Sequence, residues 1–210
     1  MSDFIVLRRI APVIATICLL AAACSASSDR SAPSTTTSSR RNGDATAVTF
    51  PSSSITWPRP ANQAAAISAA QLPPLPAEGT VEHYHAHIDV IIDGRSVTVP
   101  GGLGIDVLGP KFSPLHTHDA TGIIHIESTT HTHYTLGELF AEWNVRLTPE
   151  CVGDFCNGPD RQMIVGVNNQ AFSGDPATIV LAPHQEIAIW SASPGTAPNL
   201  PSSYTFPQGH

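Results

Sequence analysis

Histidine is the residue type whose number and spacing point to chemistry. The 210-residue chain contains ten histidines, and eight of them fall between residues 83 and 133. Three occupy every second position of the segment HYHAHID, two more are spaced in the same way in HTHD, and another follows shortly. The candidate metal ligands are His83, His85, His87, His116, His118 and His125. Because imidazole is the commonest metal ligand in proteins, this pattern predicts a transition-metal site.

The first of these segments has the alternation of a strand that is buried on one side. Side chains alternate across a strand, so its three histidines and Asp89 share one face, and the apolar residues between them share the other. Same-face neighbours on a strand lie roughly 6.6 Å apart, whereas a metal ion needs each ligand nitrogen at about 2.0 Å. One ion can therefore take an adjacent pair, and its remaining ligands must come from residues 116–125.

Carboxylates and further histidines accompany these candidates. We expect Asp89, Asp119 and Glu127 to orient imidazole rings by accepting a hydrogen bond from the second ring nitrogen. His131 and His133 form a third alternating pair just before a predicted helix, and they are secondary ligand candidates. The two remaining histidines lie in a turn and in the terminal segment, where we expect no role for them: His184 and His210.

The donor set and the charge narrow the class of function. Imidazole ligands without a methionine cluster favour Cu(II) or Zn(II), with copper preferred, and the leading interpretation is capture, buffering or transfer of the metal. One alternative is a metal-dependent enzyme, either a hydrolase or an oxygen-using enzyme, in which Glu127 or Asp119 would serve as general base beside an open metal position. Another is a wall-associated interaction domain with a structural metal. A net charge of −7 with 13% charged residues argues against a nucleic-acid partner, and no protein partner is indicated.

The first residues of the chain resemble the signal of a bacterial lipoprotein. Arg8 and Arg9 precede the apolar run IAPVIATICLL, which is too short to span a bilayer, and LAAAC then places small residues before Cys24. This order is similar to a lipobox. The resemblance implies removal of residues 1–23, acylation of Cys24 with palmitate-type chains, and a protein anchored to the cell membrane that faces outside the cytoplasm.

Export also bears on the other cysteines. Cys18 leaves with the signal peptide and Cys24 is acylated, so Cys151 and Cys156 are the remaining pair. In an oxidising compartment we expect them to form a disulfide that closes a small loop. A thiolate metal site is the alternative, although the C-x4-C spacing is wider than the spacing in zinc knuckles.

The mature chain divides into four segments by composition. Residues 24–60 are rich in Ser, Thr and Pro and are expected to form a disordered tether. Residues 61–80 predict a short helix and a Pro-rich linker, residues 81–192 a histidine-rich domain, and residues 193–210 a Pro-rich tail.

Within the histidine-rich domain, the order of elements predicts an α+β fold. Asp93 and Gly94 predict a β-hairpin turn. A further strand follows, then one helix with a capping box at Thr135 and Glu138, and then a run of short strands. This order fits a mostly antiparallel sheet with one helix packed on it, in a β-grasp-like arrangement or a small barrel or sandwich.

Three motifs of this domain also resemble a protein family. The segments HYHAHIDV, HTHDATGIIHIES and TLGELFAEW are similar, in that order, to motifs of uncharacterised exported bacterial proteins with H-x-H-x-H and H-T-H-D-x-T-G-I-I-H-I-E sequences. The resemblance covers about residues 82–190 and implies one shared domain without a particular activity. The segment TTHTHYT is less typical of that family, so His131 and His133 remain secondary candidates.

Overall fold

The structure is a computed structural model that describes residues 55–109 and 111–210. The predicted signal peptide, Cys24 and residues 24–54 of the predicted tether lie outside the described residues. The helices are α1 (Gln63–Ala69) and α2 (Leu136–Trp143), and Pro176–Thr178 form a 3-10 turn. The strands are β1 (Glu82–Ile92), β2 (Arg95–Val97), β3 (Ile105–Asp106), β4 (Lys111–Phe112), β5 (Leu115–His116), β6 (Ile123–Ser128), β7 (Cys151–Val152), β8 (Phe155–Cys156), β9 (Gln162–Val167), β10 (Gln170–Phe172) and β11 (Glu186–Ala192). Neither helix in these ranges combines the length and the apolar character needed to cross a membrane.

One mixed sheet, centred on β1, organises the fold. Its strand order is β10-β9-β11-β1-β6-β5, and β2 pairs with the last residues of β1. Strands β1 and β11 run parallel, whereas the other pairs in this sheet are antiparallel. The predicted α+β fold with a mostly antiparallel sheet is confirmed. The first and last long strands of the sheet, β1 and β11, are adjacent.

Strand β1 forms because its apolar residues alternate with polar ones. Ala86, Ile88 and Val90 are buried in the main hydrophobic core, and the histidines of the same strand point to the opposite face, as strand geometry requires. Asp93 and Gly94 have φ of 52° and 75°, the positive values that a tight two-residue hairpin turn needs. The predicted hairpin is confirmed.

Helix α2 has the ends that the sequence predicts. The Thr135 hydroxyl accepts a hydrogen bond from the backbone N–H of Glu138, and the Glu138 carboxylate accepts one from the Thr135 N–H at 2.7 Å. Asn144 ends the helix in a left-handed conformation, which Asn tolerates better than most residues. The apolar side chains of α2 that are buried in the core are Leu136, Leu139, Phe140 and Trp143.

The folded unit starts before residue 81, where the sequence analysis placed its boundary. Ile67 of α1 and Leu72 after it are buried in the same core as α2, and the indole N–H of Trp143 donates to the Trp57 carbonyl at 2.9 Å. Residues 61–80 are therefore part of the domain rather than a linker.

The Pro-rich tail also belongs to the fold. Leu200 packs against Ile91 and Trp190, which form a small apolar cluster on the sheet face opposite the main core. This is the face that carries the histidines of β1. The tail therefore covers part of the histidine face instead of extending away from the domain.

The two cysteines of the described residues are joined. Cys151 and Cys156 face each other across the two-stranded β7–β8 hairpin and form a disulfide with a Cα–Cα distance of 4.0 Å. The predicted disulfide is confirmed. Its sulfur atoms are engaged with each other, which argues against the alternative of a thiolate metal site.

Candidate metal centre

Pairing between neighbouring strands places three imidazoles in one row across the sheet. In the register of β1 and β6, His85 lies opposite His125, and His83 lies opposite Glu127. In the register of β5 and β6, His116 also lies opposite His125. Neighbouring strands are about 4.8 Å apart, so this row gathers imidazoles more closely than positions along one strand do. The two histidine segments meet at His125.

Four candidate ligands converge at the β5–β6 end of this row. Ligand atoms of His116, His118, His125 and Glu127 all lie within 4.8 Å of one another. Glu127 Oε1 is 2.9 Å from His125 Nδ1 and 3.9 Å from His116 Nε2. Two donor atoms bound to one tetrahedral ion at about 2.0–2.1 Å lie roughly 3.3 Å apart. These separations are therefore close to those that a single ion requires.

Two further groups extend the row towards β1. Ligand atoms of His83, His85 and Glu127 form one group, and those of His85, His125 and His210 form another. His85 Nε2 lies 3.1 Å from His125 Nδ1, and His83 Nε2 lies 3.5 Å from Glu127 Oε1. Because the groups share residues, they form one continuous arrangement. We call the following six residues the central cluster: His83, His85, His116, His118, His125 and Glu127.

The innermost imidazoles are held neutral. Burial lowers the pKa of His116 to about 4 against the opposing effect of Glu127, and burial together with His125 lowers the pKa of His85 to about 4. His116 Nδ1 donates to the Ser113 carbonyl at 3.0 Å, so Nε2 carries the lone pair. This Nε2 is buried, and no group among the described residues forms a hydrogen bond with it. A buried lone pair without a partner is costly, and a bound cation would satisfy it.

Glu127 supplies the negative charge of the central cluster. Burial raises the pKa of this carboxyl, but the hydrogen bond with His125 and the favourable electrostatic interactions with His116 and His83 outweigh burial and lower it overall. The side chain thus stays ionised, and its negative charge compensates part of the charge of a divalent cation. The sequence predicted Glu127 as a residue that orients an imidazole ring. In the structure its carboxylate also lies at a distance that would allow it to bind the ion directly.

His87 lies apart from the central cluster. Its neighbours across the sheet are Ile123 and Glu186 rather than histidines. Nδ1 lies 2.9 Å from a carboxylate oxygen of Glu186, and Nε2 donates to the Thr121 carbonyl at 2.8 Å. The predicted ligand His87 is therefore held by both of its ring nitrogens. With Asp89 and Glu186 it forms a separate group that could hold an ion.

The other predicted residues lie outside the central cluster. Asp119 Oδ1 accepts hydrogen bonds from the backbone N–H and the hydroxyl of Thr121, so it closes a turn. Asp89 Oδ2 is 4.0 Å from His87 Nδ1. His131 is exposed and pairs with Glu82. His133 is exposed as well, beside a surface cleft that includes Tyr84.

Glu78 is a candidate ligand that sequence reasoning missed. Its Oε1 lies 3.4 Å from His118 Nε2 and 3.8 Å from His116 Nε2. A Cβ added to the neighbouring Gly79 would lie 2.1 Å from the backbone carbon of Ser128, so this glycine lets the segment run directly against β6. The sequence contains no repeat or spacing that links Glu78 with the histidines.

His210 was expected to be incidental, but it contacts the central cluster. Its ring centroid is 4.7 Å from that of His85 and 5.6 Å from that of His125. The backbone carbonyl of His210 accepts a hydrogen bond from His184 Nε2 at 3.0 Å. Both histidines that were set aside from the sequence therefore lie at the edge of the site, because the tail folds back over the sheet.

Comparison of the chain with protein-family models, with curated proteins and with solved structures finds no match. The geometry by itself defines the class: an α+β protein whose histidine and glutamate side chains are positioned to bind a metal ion.

Proposed function

We propose that this protein is a membrane-anchored, extracytoplasmic lipoprotein that binds Cu(II) or Zn(II) for capture, buffering or transfer. The observation that carries the proposal is the buried, unpartnered Nε2 of His116 facing other imidazoles and an ionised carboxylate. A buried nitrogen without a hydrogen-bond partner does not stabilise the sheet. A bound cation would satisfy this nitrogen, which explains the arrangement.

The donors favour these two metals. The central cluster offers imidazole nitrogens and a carboxylate oxygen and no sulfur, a set that suits Cu(II) and Zn(II). We favour copper, since the two cysteines are joined to each other. His83 and His118 have about half of their side-chain surface exposed, 53% and 45%, so an ion can enter and leave from solvent. Access of this kind suits exchange of a cargo ion.

A metal-dependent enzyme is the second candidate. The observation that favours it is a surface cleft lined by His83, His85, His184 and His210, through which a small substrate could reach an ion in the central cluster. A carrier and an enzyme differ in one measurable respect, because only the enzyme would turn over a substrate when loaded with metal.

Anchoring and localisation rest on the lipobox resemblance at Cys24. Two acyl chains on that residue would hold the protein at the membrane. Fractionation of cells that express the wild type and Cys24→Ser tests this: the wild type should sediment with membranes, and the variant should not. Equal distribution of the two would contradict the anchor.

The metal proposal is tested by titration of the Cys24→Ser chain, which avoids acylation, with Cu(II) and Zn(II) against a chromophoric competitor. We expect binding at micromolar concentration or tighter. His118→Ala removes a partly exposed ligand without opening the core. It should lower the affinity by at least about 10–100-fold, the range for loss of a group that only orients a ligand. His131→Ala is the matched control, because this imidazole is 80% exposed and outside the cluster. Indifference to both metals would end the proposal.

A further inference from the structure

Residues 200–210 lie across the histidine face of the sheet with an irregular backbone, and a turn at residues 208–209 precedes His210. We call residues 200–210 the C-terminal strap. Tyr204 stacks on His87 with ring centroids 3.7 Å apart and an interplanar angle of 8°, and Phe206 stacks on His184 at 4.9 Å. Beyond these aromatic contacts, the strap brings the His210 ring to His85 and His125.

Side chains hold the strap in place. Among the described residues, no backbone hydrogen bond joins residues 200–210 to the sheet, and the hydrogen bond from His184 Nε2 to the His210 carbonyl is its polar tie to the remainder of the fold. Leu200, Tyr204 and Phe206 are partly buried, whereas His210 is exposed. Segments with few buried apolar contacts and few backbone hydrogen bonds open at low free-energy cost. The strap can therefore leave while the sheet stays folded.

The strap ends where metal donors are already gathered. The ligand atoms of His85, His125 and His210 lie within 4.8 Å of one another, and two of these imidazoles belong to adjacent strands of the rigid sheet. The third belongs to the removable strap. An ion bound by all three imidazoles would need the strap to be closed. Binding of the ion would therefore depend on the position of the strap.

We propose that the strap is a metal-responsive latch, in which the His210 imidazole completes a metal position with His85 and His125. This inference rests on the proposed function and names how that same site is regulated. A bound ion favours the closed strap because only the closed state offers the third imidazole, and a ligand shifts a conformational equilibrium by its differential affinity for the two states. Because the strap is part of the same chain, the His210 imidazole is present at a high effective concentration near His85 and His125. Opening of the strap then releases the ion to an acceptor.

Limited proteolysis with chymotrypsin tests the latch in the Cys24→Ser chain. The Tyr204–Thr205 bond lies in the strap, where stacking on His87 protects the tyrosine. Leu108 is 93% exposed in a loop distant in sequence, and cleavage after it is the internal reference for protease activity. Zn(II) should slow cleavage after Tyr204 by about tenfold relative to Leu108, within the usual range of coupling between ligand binding and a conformational change. In His210→Ala this protection should disappear, and Zn(II) should dissociate about tenfold faster. His131→Ala should behave as the wild type.

Failure of the latch and failure of metal binding are distinguishable, because Zn(II) binding is measured on the same samples with the chromophoric competitor. If the wild type binds Zn(II) while cleavage after Tyr204 stays unchanged, the latch is refuted and the metal-binding proposal stands. If His210→Ala keeps the metal-dependent protection, His210 is not the ligand that closes the strap, and the latch is refuted as well. If the wild type binds neither Zn(II) nor Cu(II) in the competition assay, both proposals fall.

Discussion

Glu142 is predicted to make the stability of this protein fall steeply as the pH rises. The residue lies on α2 and is fully buried, and neither of its carboxyl oxygens has a hydrogen-bond partner among the described residues. Burial, opposed by the nearby Ser113 side chain, raises the pKa of Glu142 to about 8 from an ordinary value of 4.5. The carboxyl therefore stays protonated in the folded protein at pH values where the unfolded chain has released its proton.

The sign and the size of the effect follow from linkage. Below pH 4.5 both states are protonated and the residue costs nothing through ionisation. Between pH 4.5 and 8 the unfolded chain ionises and the folded carboxyl does not, so rising pH favours unfolding. At about 1.4 kcal/mol for each pH unit, a pKa of about 8 against 4.5 removes roughly 4–5 kcal/mol of unfolding free energy by pH 8.

Glu142→Gln removes the ionisation but keeps the shape of the side chain. Denaturant unfolding of the wild type and the variant at pH 5, 6, 7 and 8 measures the difference in unfolding free energy, in which all other titrating groups cancel. We expect the variant to gain on the wild type by about 1.4 kcal/mol for each pH unit. Glu150→Gln removes the same charge from an exposed position and is the control. A difference that stays constant between pH 5 and 8 would refute the reasoning.

Three further predictions concern the histidines, the metal and the disulfide. The pKa of His85 and of His116 is lowered to about 4 from an ordinary 6.5, so the unfolded chain takes up protons first. Metal-free Glu142→Gln, which lacks the opposing effect of Glu142, should therefore lose stability as the pH falls from 6.5 to 4; denaturation at stepped pH measures this, and a flat profile would contradict it. Zn(II) at a hundred times its Kd should add about 2.7 kcal/mol to the unfolding free energy, visible as a rise in Tm that a chelator reverses; an unchanged Tm would count against folded-state binding. Replacing Cys151 and Cys156 together by Ser should cost about 2 kcal/mol because the closed loop is short, and a much larger loss in denaturant titrations would point to a packing role.

Local patterns in the sequence were sufficient for the elements that carry the site. The alternation in β1, the Asp93–Gly94 turn and the capping box of Thr135 and Glu138 depend on neighbours within a few residues, so each can be read from the sequence. The convergence of two histidine segments also follows from their clustering. These features depend on strand periodicity and backbone conformation rather than on long-range packing.

The partition of the histidines could not be predicted, because it depends on strand register. Along β1 the residues His85 and His87 look equivalent. Across the sheet they differ, since His85 faces His125 whereas His87 faces Glu186 of β11, a strand almost a hundred residues further along the chain. Nothing in either segment specifies that pairing. Contacts made by residues 61–80 and by the tail, such as those of Glu78 and His210, were missed for the same reason.

His125 lies opposite His85 of β1 and opposite His116 of β5. The affinity for metal therefore depends on the correct register of all three strands. A slip of β6 by one residue would turn its side chains to the opposite faces, so Ile124 and Ile126 would replace His125 and Glu127 beneath the incoming ion. Misaligned chains would then have almost no affinity for metal. A bound ion would thus stabilise only those copies whose central strands have paired properly.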